Sequence, residues 1–182
     1  MSTQPAATSS IEGALRRAGS AVKGEKHGER DEFVGLSAVL TGFEPFDLLG
    51  TGVADEYLAT LLRIVPAATA EMLDTWRQIE RAPPPGGVEE AVRIRILGDP
   101  RLGPVARNVI TLWYTGLWAP MPAEWTYANG TSPADVNFVV SALAYQESLV
   151  WKAAGTGPMG AKPPGYGAWA LPPAPDLPTP NP

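Results

Sequence analysis

Between Ser132 and Trp169 the sequence reads SPADVNFVVSALAYQESLVWKAAGTGPMGAKPPGYGAW. Its first part opens like a helix, with Ser132 as cap, Pro133 in the first turn and Asp135 three residues after the cap. Val136, Phe138, Val139, Val140, Leu143, Tyr145, Leu149, Val150 and Trp151 then point in more than one direction around that helix. A surface helix would show a single apolar stripe, so the segment to Lys152 is expected to be helical and buried on several sides. At Gly155 the helix gives way to a Pro/Gly ribbon carrying Met159, Tyr166 and Trp169. Such a ribbon buries little and breaks regular hydrogen bonding, so its aromatic side chains must lie on this domain or on another chain.

Working back from there, Ile110, Leu112, Trp113 and Tyr114 belong to a second helix apolar on more than one side. Asp99-Pro100 opens it as cap and first helical residue, and it ends near Gly116. Pro120 and Pro122 keep the following stretch irregular through Trp125 and Tyr127. Earlier helices are expected over 31–42, 53–64, 67–80 and 88–97, with Arg81 to Gly87 as a stiff linker between two of them. Phe43, Phe46, Leu48 and Leu49 read as an apolar loop. No strand alternation and no repeat of solenoid period is present. The expectation is an all-α fold, a single compact helical domain of about five to seven helices. A mobile charged arm would occupy residues 1–30, the helical domain 31–152, and an extended Gly/Pro/aromatic tail 153–182.

Hydrophobic residues make up 45% and charged ones 18% of the 182 residues, a globular balance with enough chain for one core. The net charge of -5 disfavours nucleic acid, whose phosphates would be repelled. Cysteine is absent, which removes disulfides, thiolate metal sites and cysteine nucleophiles together. No apolar run is long enough to span a bilayer. Arg16-Arg17 is followed by charge, not by the apolar region an export signal needs, so it reads as part of a solvated arm.

Chemistry finds little purchase. The only histidine, His27, sits in a charged run with no second ligand nearby. Glu71/Asp74 and Glu89/Glu90 are acid pairs at helix starts or on solvent faces. Gly155 to Lys162 superficially resembles a phosphate loop, but it lacks the Ser or Thr after the lysine and a preceding strand. Asn129-Gly130-Thr131 reads as a turn. No catalytic, cofactor-binding or metal-binding residue is expected in this chain. What remains is a set of aromatic residues suited either to a core or to an interface.

Those residues carry a resemblance. ITLWYTGLW (Ile110 to Trp118), the Tyr145 to Trp169 stretch and LSAVLTGF (Leu36 to Phe43) are similar to segments of the small (gamma) subunit of membrane-bound FAD-dependent sugar and polyol dehydrogenases. That group serves sorbitol, fructose, glucose and gluconate dehydrogenase complexes. The similarity covers roughly Phe33 to Trp169, and the spaced WYTG, Tyr145–Trp151 and GYG-x-W elements make it specific only in combination. It implies an all-helical, non-catalytic subunit that clasps a flavoprotein of the glucose-methanol-choline oxidoreductase type and helps it mature. FAD would sit in that partner, and a cytochrome c subunit would take the electrons. The implied location is the periplasmic face of the inner membrane. This chain departs from the pattern in lacking the family's twin-arginine signal, which leaves a cytoplasmic location as the alternative.

The expected partner-binding residues are Trp113, Tyr114, Trp118, Tyr145, Trp151, Met159, Tyr166 and Trp169. The competing expectations are a free-standing helical adaptor unrelated to redox chemistry and a helical enzyme working with carboxylates.

Overall fold

A computed structural model describes residues 28–158 and 160–161. The arm up to His27, Met159, and the segment from Lys162 onward with Tyr166 and Trp169 lie outside the described residues.

Helix α1 covers 28–41 and buries Phe33, Val34, Leu36 and Ser37. It includes residues 28–30, assigned to the arm on sequence. Gly42, at φ 76°, ends it with a left-handed turn that a side chain would strain. Phe43 to Leu49 is not simply a loop, because Pro45 at the first helical position starts a short α2, Pro45–Gly50. α3 (Ala54–Ile64) and α4 (Pro66–Arg81) meet at a corner at Val65, where Pro66 ends one helix and begins the next. Their inward faces, Tyr57, Leu58, Leu61 and Ile64 on α3 and Met72, Leu73, Trp76 and Ile79 on α4, follow the helical spacing of the sequence.

After the exposed prolines comes α5 (Gly87–Val92), which runs directly into a π-helical turn over Arg93–Leu97. The bond from the Gly98 amide to the Arg93 carbonyl, 2.9 Å, closes that wider turn. The Asp99 carboxylate then accepts from the amides of Arg101 and Leu102 at 2.7 and 2.8 Å, satisfying donors at the start of α6 (Leu102–Thr115).

α6 is the spine. Val105, Ala106, Val109, Leu112 and Trp113 are all buried along it. Trp113 lies stacked on Phe33, centroids 6.1 Å apart, and meets Tyr57 edge to face at 5.0 Å. That triple contact ties α1, α3 and α6 into one core.

The second part of the domain departs most from expectation. Leu117–Trp118 forms β1 and pairs antiparallel with β2, Phe138–Val139. α7 spans Ala123–Asn129, and the long helix expected over Ser132 to Lys152 is two short ones, α8 (Ala142–Gln146) and α9 (Leu149–Ala153). The reason lies in polar side chains. Asp135, which would have served a helix start, accepts from the Trp118 indole at 2.8 Å and from the Met121 amide at 3.1 Å. Ser141, in extended backbone, caps α8 by accepting from the Ala144 amide at 3.0 Å. Val139, β-branched, suits the strand between these two anchors. The described residues hold nine α-helices and one π turn, more than expected because the added helices are short. They form a compact, mostly helical domain in which no helix is long and apolar enough to cross a membrane.

Candidate docking surface

α8 is seated against the end of α6 by Gly116. This residue has φ 71°, and a Cβ on it would lie 2.7 Å from the Ala144 backbone. Only glycine allows that approach. Behind it, the buried Ser148 hydroxyl donates to the Ala144 carbonyl at 2.7 Å, linking α8 to α9. The two short helices are therefore fixed to the spine with their outer faces open.

On that outer side lies a cleft of about 400 Å³ between α2 and the α8–α9 corner, with Phe46, Asp47, Gln146, Leu149 and Trp151 among its walls and Pro158 at its end. Phe46 is 85% exposed. Lys152 bridges the cleft, its Nζ 2.6 Å from Asp47 Oδ1 and 5.5 Å from the centre of the Phe43 ring. The Trp151 indole donates to the Tyr145 carbonyl at 2.8 Å, and the two rings meet edge to face at 5.5 Å. Leu49, Leu143, Tyr145 and Val150 are exposed apolar residues of the same helices. Exposed aromatic and aliphatic side chains held in fixed orientations beside a cleft are features of protein-binding surfaces.

The residues expected to bind a partner separate into groups. Trp113 and Trp118, at 1% and 0% exposure, are interior residues, so neither offers a contact surface in this fold. Trp118 is held there by its bond to Asp135. Tyr114 is half-buried, its hydroxyl donating to the Thr41 carbonyl at 3.0 Å and its ring edge-on to Phe43. Tyr145 and Trp151 are brought together at the surface. Met159, Tyr166 and Trp169 lie outside the described residues. Sequence reasoning passed over Phe46 and Leu49. The available signal was an apolar side chain between Pro45 and Asp47, where a helix too short to bury every apolar residue leaves one outside.

Three of the four acids in the candidate pairs are held in surface contacts. Glu71 pairs with Arg101 and Asp74 with Arg77, while Glu90 pairs with Arg93. Hydrogen bonding from Arg93 keeps the Glu90 carboxyl below its usual range. Among the described residues no group of three or more His, Cys, Asp or Glu converges as metal ligands would. Tyr57 has its phenol pushed well above the ordinary value, chiefly by burial and secondly by the charge of Glu56. Compared with protein-family models, curated proteins and solved structures, the chain matches none.

Proposed function

We propose that the chain is a non-catalytic helical module that binds another protein through the α2 and α8–α9 face. The observation that carries this reading is Phe46, almost fully exposed across a cleft from Trp151. Burying an exposed phenylalanine is worth about 1.5–3 kcal/mol, enough for one side chain to anchor an interface. Of the acids that an enzymatic reading would need, Glu71, Asp74 and Glu90 are engaged in separate surface ion pairs.

Two partners fit. A free-standing adaptor would use this face for a protein unrelated to redox chemistry, and it asks nothing of the domain beyond the surface described. The resemblance at Ile110 to Trp118 and Tyr145 to Trp169 proposes a more specific partner, the flavoprotein of an FAD-dependent sugar or polyol dehydrogenase, with FAD held there and not in this chain. Expression of the tagged chain beside its neighbouring reading frames distinguishes them. A yellow complex that is lost in a Phe46→Ala variant of unchanged thermal stability supports the flavoprotein partner. A colourless complex lost in the same variant supports the adaptor. A chain that remains monomeric with every candidate would overturn the docking reading.

A further inference from the structure

A second cleft, of about 370 Å³, has Trp125 among its walls, where the α3–α4 corner faces α7 and the turn after it. Two arginines, Arg63 and Arg101, are among its walls, and no Asp or Glu is. In a chain of net charge -5 that local balance is unusual. We propose that this cleft binds a small oxyanion, a carboxylate or phosphate group, and this inference stands apart from the docking face above.

The donors are available. Arg63 has no carboxylate partner among the described residues and rests with its guanidinium 5.2 Å from the centre of the Phe138 ring. Arg101 gives Nη1 to Glu71 at 2.9 Å and its Nε is shut off from solvent, so the rest of its guanidinium is what it can offer to the cleft. A guanidinium has five N–H donors, so one carboxylate outside the cleft leaves capacity within it. The Arg101 backbone is held in place because its carbonyl accepts from the Trp125 indole at 2.7 Å.

The wall opposite adds polar hydrogens of another kind. α4 is 16 residues long, begins with Pro66 and has no side-chain cap, so the Ala67 and Ala68 amides at the cleft have no acceptor supplied by a capping side chain. The two guanidinium groups carry the proposal, and these amides give a bound anion a second direction of contact. Trp125 is also among the walls, so its indole reports on occupancy.

The test is a titration of the full-length, nitrogen-15-labelled chain, first with inorganic phosphate and then with an N-acetylglutamate amide. The signals to follow are the Ala67 and Ala68 amides and the Trp125 indole. Saturable shifts are expected, weakened about tenfold by Arg63→Gln, whose loss of charge-assisted donors leaves the core untouched. Glu71→Gln removes the competing carboxylate from Arg101 and should tighten binding. Saturation by both probes identifies a free oxyanion as ligand, and saturation by the glutamate probe alone identifies an acidic side chain of a partner. Absence of saturable shifts with either probe, or an Arg63→Gln chain that titrates like the parent, would overturn the proposal.

Discussion

From residue 28 to Gly116 the chain is built of helices that bury apolar faces against one another, whereas from Leu117 to Ala161 it is built of short pieces tied by polar side chains. In the first region Phe33, Tyr57, Leu61, Leu73, Val109 and Trp113 recur at helical spacing and pack mainly through surface area. In the second, four of the fixing contacts are hydrogen bonds from one residue's side chain to another segment. Trp118 donates to Asp135, Trp125 to the Arg101 carbonyl, Asn108 to the Ala119 carbonyl and Trp151 to the Tyr145 carbonyl. Hydrophobic burial tolerates small shifts, while a hydrogen bond fixes a position. The second region can thus hold its outward apolar side chains in place without long helices beneath them.

The largest break in this comparison is expected at the core. Trp113→Ala removes the ring shared by Phe33 and Tyr57 and should cost about 3–5 kcal/mol, read as a lower urea midpoint. A change under ~1 kcal/mol would mean that the first region does not depend on this contact. Asp135→Ala tests the other side. It strips the acceptor from the Trp118 indole and the Met121 amide and should cost about 1–3 kcal/mol. Hydrogen exchange should quicken around β1, β2 and α7 while α1 to α4 keep their protection. Uniform loss across the domain would show that the two regions unfold as one.

Tyr57 sharpens the contrast from inside the helical region. Its hydroxyl is buried with no hydrogen-bond partner, so Tyr57→Phe should be neutral or slightly stabilising near neutral pH. The folded-state pKa is raised above the unfolded value of about 10, so the stability tied to the neutral phenol is complete below that pH. It falls as pH rises toward the folded value, and thermal unfolding should show a decline at alkaline pH that Tyr57→Phe reduces. The smallest expected effect is Phe46→Ala, within ~0.5 kcal/mol because the side chain touches mostly solvent. A large loss would place Phe46 in the core and remove it from the docking face.

These two regions were also unequally legible in the sequence. α1, α3, α4 and α6 could be read because an apolar stripe of period 3.6 is a direct record of which face is buried. The Asp99 signal was readable too, since its effect is local, although the helix it serves begins at Leu102 and not at Pro100. The Ser132 to Lys152 segment misled because Asp135, read as part of a helix start, acts on Trp118, while the residue that does cap a helix is Ser141, nine residues after Ser132. Long-range hydrogen bonds leave no periodic trace. The candidate surface was half visible for the same reason, with Tyr145 and Trp151 found by their chemistry and Phe46 missed because its exposure depends on where α2 sits.

The widened turn at Arg93–Leu97 has a consequence for how this chain can change length. An ordinary helix advances about 100° per residue, and a π turn absorbs one residue more than an α turn. Deleting one residue there would restore ordinary pitch and leave the phase of the flanking turns nearly as it is. Ile96, fully buried, and Ile94, outward, lie within the turn, so the adjustment would be confined to their facings. The turn is therefore where this helix carries its extra residue, and a one-residue deletion is expected to be tolerated here, as at the exposed Pro83 and Pro85, far better than inside α3, α4 or α6.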